Sequence, residues 1–151
     1  MHVKTDIFCS ASLTLPDKVG RQINIGGWAN DATYGIRLYW PDGTPGTWGI
    51  DDWQENVQEV HLQASRWHPT AMTIANGSIL VMGGEEGSNG ALVPSLEVLP
   101  LPPGSGTLFC EYFNRTDLCN LYPYLAILPS GGIFVAYYNE ARILNENSLQ
   151  T

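Results

Sequence analysis

The feature that most constrains this chain is an internal repeat in which a strand, a tight turn and an apolar strand recur three times. The first strands of the three copies end at Leu15, Ile74 and Leu128, which are 59 and 54 residues apart. A glycine-bearing turn follows each of them, and the next segment, such as residues 79–82, is nearly continuously apolar. Each copy therefore predicts a β-hairpin whose second strand is buried on both faces.

Hairpins that recur at this spacing predict an all-β chain of about three kelch-like blades of an incomplete β-propeller. Propellers close with four to eight blades, so we expect the blades to come from a parent with seven. The open edges of an incomplete ring predict self-association. A β-sandwich is the alternative that short alternating strands leave open. One partial propeller, 1–151, is expected, with repeat units at roughly 6–60, 61–115 and 116–151.

The charge balance excludes one class of partner. The chain has 7 Lys and Arg against 15 Asp and Glu, for a net charge of −8, whereas phosphate binding needs a basic footprint. No apolar run is long enough to span a membrane, and the first six residues lack the apolar core of a signal peptide. We therefore expect neither nucleic-acid nor membrane binding, and no signal peptide within this chain.

Three residues with metal-binding or reactive side chains share one position of the repeat. Cys9, His68 and Tyr122 each precede the end of their first strand by six residues. Equivalent positions of adjacent blades lie near one another, so a thiol, an imidazole and a phenol around one axis are able to bind a metal. The alternative is that Cys9 is a small buried hydrophobe, His68 a hydrogen-bonded core residue and Tyr122 a packed aromatic.

The remaining candidates have plainer interpretations. His2 and His61 have polar neighbours and are predicted to be solvated, and Glu85-Glu86 to form an exposed turn. The acidic residues Asp51, Asp52 and Glu55 lack the ligand spacing of a calcium loop. A disulfide between Cys110 and Cys119 is possible and stays open. Three tryptophans are predicted to pack between sheets, or else to stack sugars: Trp40, Trp48 and Trp53.

Several short motifs resemble, in order and at matching spacing, the amino-terminal catalytic region of fungal glyoxal oxidases. These enzymes are relatives of galactose oxidase among the copper radical oxidases. The motifs are Asp6-Ile7-Phe8-Cys9-Ser10, Ile25-Gly26-Gly27-Trp28, Arg66-Trp67-His68-Pro69-Thr70, Gly83-Gly84 and Asn120-Leu121-Tyr122-Pro123.

The resemblance implies a particular cofactor and reaction. In that family one copper is held by two tyrosines and two histidines. One of these tyrosines is joined to a cysteine through a thioether, and this linked tyrosine forms the radical. An aldehyde is oxidised to an acid while dioxygen is reduced to hydrogen peroxide. Cys9 falls on the thioether cysteine and His68 on its tyrosine partner, so the resemblance places catalytic positions at Cys9 and His68, with His68 also a copper ligand.

The resemblance also implies what the chain should lack. An imidazole at position 68 cannot form the thioether, and the chain contains no Tyr-His pair of the kind that supplies the other ligands. We therefore expect an extracellular, glyoxal oxidase-like fragment whose parent binds copper and a small aldehyde, whereas this chain binds no copper and is inactive. The alternative is a non-catalytic kelch-like module that binds a glycan or a protein. A partial gene product without a function of its own is the third interpretation.

Overall fold

The computed structural model of the chain describes residues 2–101, 104–116 and 121–151. Within them the chain is all-β apart from two short helical segments, and its strands form three antiparallel sheets. The first sheet contains β1 (Ala11–Thr14), β2 (Gln22–Ile25) and β3 (Ile36–Tyr39). The second contains β4 (Thr70–Thr73), β5 (Ile79–Met82), β6 (Ser95–Leu99) and β7 (Leu108–Phe109). The third contains β8 (Tyr124–Ile127), β9 (Ile133–Tyr137) and β10 (Glu140–Leu144).

The hairpin at the start of each sheet confirms the register of the repeat. Strands pair in chain order, β1 with β2, β4 with β5, and β8 with β9. The residues that end the first strands close equivalent turns. The backbone N–H groups of Leu15, Ile74 and Leu128 each donate to a carbonyl on the far side of the turn, at 2.8, 2.8 and 3.0 Å. Gly77, in the second turn, has a φ of 86°, which glycine adopts without steric cost.

Burial on both faces explains why β5 is continuously apolar. Ile79 and Val81 pack into a core shared with the first sheet, whereas Leu80 and Met82 pack into a core shared with the third. All four side chains are buried, as side chains of a strand between two other layers must be. The second sheet therefore lies between the other two.

The sheets approach one another most closely along their first strands. β1 contacts β4, and β4 contacts β8, while the later strands of each sheet lie farther from their counterparts. The segments that lead into these first strands are thereby brought to one junction. This placement is what matters for the candidate site, because the positions six residues before the strand ends all lie in those segments.

Two elements were not expected from the sequence. An α-helix, α1, spans Glu111–Arg115, and a 3₁₀-helix spans Asn30–Tyr34. Helix α1 is too short to show a helical period, yet its Tyr112 and Phe113 are buried in the core between the second and third sheets. Among the described residues, no helix has both the length and the apolar character that crossing a bilayer requires.

The prediction for the tryptophans was wrong for Trp48, whose surface is 93% exposed. It lies in the loop after β3, where the described structure places no second sheet against it. Trp53 contacts the ring of Tyr39 with 5.4 Å between ring centroids, and Trp40 lies under the guanidinium of Arg21 at 5.2 Å. These two side chains therefore make local ring and cation contacts.

Candidate functional site

The candidate site is the junction where the segments preceding β1, β4 and β8 meet. Cys9, His68 and Tyr122 occupy equivalent points in these segments, two residues before their strands begin. Each adopts a left-handed backbone conformation, with φ values of 58°, 60° and 52°. Such a conformation costs a non-glycine residue roughly 1–2 kcal/mol, so surrounding contacts must hold all three residues in place.

Backbone hydrogen bonds supply part of those contacts and link the three residues in series. The N–H of His68 donates to the carbonyl of Cys9 at 3.0 Å, and the N–H of Tyr122 donates to the carbonyl of His68 at 2.9 Å. These bonds join the first sheet to the second and the second to the third. The three residue types singled out in the sequence are therefore brought together.

Their side chains form one cluster. The rings of His68 and Tyr122 meet edge to face, with centroids 4.9 Å apart, and the Trp67 ring lies 3.7 Å from that of His68. The Tyr122 phenol interacts electrostatically with the side chain of Cys9. Phe8 extends the aromatic row, with its ring 6.3 Å from that of Trp67.

His68 is held as a neutral base. Partial burial lowers the pKa of its imidazole below the ordinary value of 6.5, and the nearby carboxylate of Glu85 opposes that shift. At neutral pH the ring therefore carries no charge, which is the form that binds metal ions. Its Nδ1 atom is buried without a hydrogen-bond partner among the described residues, and so is Nε1 of Trp67. A buried polar atom without a partner is uncommon enough to need an explanation.

Tyr122 is held as a neutral phenol. Partial burial, followed by the interaction with Cys9, raises the pKa of Tyr122 to about 12. The shift favours the protonated form of the phenol. The junction therefore combines a free thiol, a neutral imidazole and a phenol that keeps its proton at neutral pH.

A buried arginine that the sequence analysis did not identify as functional anchors the segment carrying His68. Arg66 has no exposed side-chain surface and pairs with the equally buried Glu97, with Nη2 and Oε1 3.0 Å apart. Its remaining N–H groups donate to the carbonyls of Gly83 and Ser95 at 2.8 and 3.0 Å, and to the Ser95 hydroxyl at 2.9 Å. Glu97 also accepts from the backbone N–H of Gln63. Residues 63–66 are thereby fixed to the second sheet.

A second buried arginine plays the same part in the first sheet. The Arg37 guanidinium donates to the Thr5 hydroxyl, the Asn24 side chain and the carbonyl of Gly26 at 2.7, 3.0 and 2.7 Å. Glu55 lies 3.5 Å from its Nε atom and also accepts hydrogen bonds from the Thr5 backbone and hydroxyl. Glu55 therefore stabilises the segment that leads to Cys9.

The glycine pairs at the strand ends permit close approach of the backbone. Gly26 has a φ of 74°, and a Cβ there would overlap the carbonyl oxygen of Arg66. The N–H of the adjacent Gly27 donates to that same carbonyl at 3.2 Å. Backbone from the first sheet therefore lies directly against the segment that carries His68, as the glycine pair predicts.

The other sequence candidates lie apart from the junction. His2 and His61 are exposed, which confirms that they are solvated, and Glu86 is exposed next to a half-buried Glu85. Cys110 is a buried free thiol, and burial raises the pKa of that thiol. Cys119 lies outside the described residues. Within the part of the chain that is described, no three or more His, Cys, Asp and Glu side chains are grouped to hold a metal ion.

A family model and two relatives match most of the chain. The family model described as glyoxal oxidase N-terminus matches residues 1–150. A WSC domain-containing protein of Arthroderma benhamiae is 61% identical over all 151 residues, and an aldehyde oxidase GLOX of Vitis pseudoreticulata is 31% identical over 144 residues, or 93% of this chain. The chain spans only 16% and 25% of those two proteins.

The fold is also similar to part of a solved structure. A fungal alcohol oxidase of the AA5 family, in complex with copper, matches 95% of this chain with a TM-score of 0.55 and 18% identity, over 31% of its own length. The similarity concerns the fold, and it agrees with the resemblance to the amino-terminal region of copper radical oxidases. The chain belongs to the glyoxal oxidase N-terminus family.

Proposed function

We propose that this chain is a three-bladed, kelch-like part of a β-propeller from a copper radical oxidase whose radical site has been lost. The observation that carries this proposal is the side chain at position 68. His68 occupies the junction next to Cys9, where the family resemblance expects the tyrosine of the thioether pair. The chain is accordingly inactive as an oxidase.

The architecture supports the propeller assignment. Three antiparallel sheets share two cores, and their first strands lie side by side. This is the arrangement expected of consecutive blades around an axis, where each blade covers a face of the next. The segments before the first strands then face the axis, which is where Cys9, His68 and Tyr122 meet.

The donor set fits the radical cofactor poorly. A thioether between cysteine and tyrosine needs a phenol carbon, and an imidazole at position 68 offers none. The phenol that interacts with Cys9 belongs to Tyr122, and its raised pKa keeps it protonated, so it is not poised as a metal-bound phenolate. The orphaned Nδ1 of His68 is nevertheless a suitable copper donor, because a neutral imidazole is a common copper ligand.

In the parent of this chain, a copper ion and a tyrosyl radical would supply two one-electron acceptors for the oxidation of a small aldehyde and water to an acid, with dioxygen reduced to hydrogen peroxide. We assign the same substrate class and an extracellular location to the parent of this chain. The grape relative that matches most of the chain is named an aldehyde oxidase, which supports this assignment. Here the residues at the junction position a thiol and a neutral base but supply no radical.

A second candidate function is binding through the aromatic row. Phe8, Trp28 and Tyr122 keep 58%, 43% and 47% of their surface exposed. The Phe8 and Trp28 rings meet edge to face, with 6.4 Å between centroids, which makes a continuous apolar platform with the rings at the junction. Exposed rings of this kind stack against the apolar faces of sugars. A glycan-binding module is therefore the alternative that retains a use for the site without a radical.

These functions are distinguished by hybrid enzymes in which this chain takes the place of the matching segment of the Vitis pseudoreticulata aldehyde oxidase. The chain replaces that segment either unchanged or as the His68→Tyr variant, and copper content and peroxide release from small aldehydes are measured for both. We expect copper in both hybrids but peroxide only from the variant. Peroxide from the unchanged hybrid contradicts the loss of the radical site, and folded hybrids that both lack activity favour the binding module. The unmodified grape enzyme is the positive control.

A further inference from the structure

We propose that Asn76 is a site of N-linked glycosylation, and that its first N-acetylglucosamine covers an apolar groove between the first and second sheets. The inference rests on the extracellular location proposed above, because the transferase concerned acts on secreted chains. Groove and turn lie at the ends of β1 and β4 that are opposite the junction. The glycan therefore leaves Cys9 and His68 unobstructed.

The acceptor sequence forms the tip of a hairpin. Asn76-Gly77-Ser78 matches the sequon Asn-x-Ser/Thr and lies between β4 and β5, with Asn76 exposed. The N–H of Ile74 donates to the carbonyl of Ser78 at 2.8 Å, and the N–H of Gly77 donates to the carbonyl of Ile74 at 2.9 Å. A Cβ atom at Gly77 would contact nothing within 4 Å. The turn therefore presents Asn76 to solvent in the folded chain.

The reacting groups of this sequon are available. Oδ1 of Asn76 accepts a hydrogen bond from the N–H of Ser78 at 2.9 Å, which holds the amide in an Asx turn. Among the described residues, no hydrogen bond engages Nδ2 of Asn76 or the hydroxyl of Ser78. Nδ2 is the atom that receives the sugar, and the hydroxyl two residues later is the group that identifies the acceptor.

The other sequon of the chain, Asn114-Arg115-Thr116, is part of helix α1 and its end. The Thr116 hydroxyl donates to the carbonyl of Tyr112 at 3.1 Å, and the N–H of Asn114 donates to the carbonyl of Cys110 at 3.1 Å. Presentation of this sequon therefore requires the loss of helical hydrogen bonds, whereas the hairpin tip requires no such loss. We accordingly assign the modification to Asn76.

The transfer is a substitution without any change of oxidation state. Nδ2 of Asn76 attacks the anomeric carbon of an oligosaccharide carried on a lipid pyrophosphate, which is the donor class that secretory pathways supply. A bond between carbon and nitrogen forms as the bond between that carbon and the pyrophosphate oxygen breaks. The lipid pyrophosphate leaves, and the nitrogen releases one proton to solvent.

The groove next to the turn suits the first sugar. It has a volume of about 460 Å³, lies between the turns that follow β1 and β4, and has Asn76 on its rim. Its charged residues, Asp17 and Arg21, pair with each other at 2.7 Å, so the groove favours a neutral ligand. A sugar linked to Asn76 covers apolar walls that otherwise face water. These walls are formed by Leu15, Ile23, Ile36, Leu38, Ile79 and Leu99.

The first test measures the occupancy of the site. The chain is secreted from yeast behind a host leader, and peptide mass spectrometry quantifies the glycan at Asn76 and at Asn114. We expect most of the folded chain to carry a glycan at Asn76. Ser78→Ala, which keeps the asparagine, should abolish this modification, and the matched control Ser78→Thr should retain it. Far-ultraviolet circular dichroism confirms that each variant is folded.

The second test measures what the first sugar does. Endoglycosidase H trims the glycan to a single N-acetylglucosamine in the Asn114→Gln background, and urea unfolding compares this form with the same chain made in bacteria, which is bare. The sugar should raise the folding equilibrium constant roughly fivefold, as expected if it covers about 40 Å² of apolar wall. In Leu15→Ala, which shortens that wall, the gain should decrease.

Three results overturn the proposal: a bare Asn76 in the secreted chain, a glycan on Asn114 in its place, or equal stability of the single-sugar and bare forms. The leader directs secretion in this test, so its failure is separate from a failure of the extracellular assignment. Peroxide release by the hybrid enzymes tests the radical site and does not depend on Asn76.

Discussion

Removal of the Glu97 carboxylate should destabilise the chain more than most single substitutions. Arg66 and Glu97 have no exposed side-chain surface, and their closest charged atoms are 3.0 Å apart. A Glu97→Gln substitution keeps the side-chain volume but leaves the Arg66 cation buried without a counter-charge. Breaking a buried ion pair from one side costs roughly 3–5 kcal/mol. Glu97→Gln should therefore lower the free energy of unfolding by about 3–5 kcal/mol.

The assay is equilibrium urea unfolding followed by tryptophan fluorescence. The exposed pair Arg115 and Glu140 provides the control, because its side chains are 46% and 34% exposed and its closest atoms are 2.8 Å apart. Loss of such a pair costs at most about 1 kcal/mol, so Arg115→Ala should shift the midpoint only slightly. A Glu97→Gln variant within about 1 kcal/mol of the parent would refute the claim that this pair anchors the His68 segment.

Further outcomes follow from the same structure. The His68 imidazole should titrate below pH 6.5 by NMR, and a titration midpoint above that value contradicts the site. Because the folded chain then binds this proton less tightly than the unfolded chain, His68 should destabilise the fold as pH falls through 6.5. Cys9 should be alkylated faster than the buried Cys110 under native conditions, as peptide mass spectrometry will show; equal rates argue against the burial difference. Gly26→Ala should cost at least about 2 kcal/mol in urea unfolding, and a neutral effect means that the segments do not touch. Exposed apolar side chains on β8 and β10 should make sedimentation concentration-dependent, whereas a sharp, concentration-independent monomer contradicts self-association.

The repeat made the hairpins and their register predictable, because alternation and turn residues are local signals. Leu15, Ile74 and Leu128 proved to be equivalent in their turn hydrogen bonds. The same alignment predicted that Cys9 and His68 would meet, since residues at one repeat position are carried to one place when identical units pack side by side. Periodicity thus determined both the strands and the location of the junction.

The buried ion pairs were beyond what the sequence pattern could predict. Arg37 and Glu97 each interrupt an otherwise apolar strand, which is a signal that a charge is buried, but the pattern does not say which partner meets it. The partner of Glu97 is 31 residues away in the chain, and only tertiary packing brings the two together. The orphaned Nδ1 of His68 likewise depends on the side chains around it, so no spacing rule could reveal it.

The most direct test of the account is whether the His68 and Tyr122 rings touch in solution. A two-dimensional nuclear Overhauser spectrum of the folded chain measures this contact between protons. With the ring centroids 4.9 Å apart and an edge-to-face arrangement, we predict strong cross-peaks between the two rings, together with peaks from Trp67 to His68. Well-resolved ring signals without a cross-peak between His68 and Tyr122 contradict the junction on which the site and the proposed function depend.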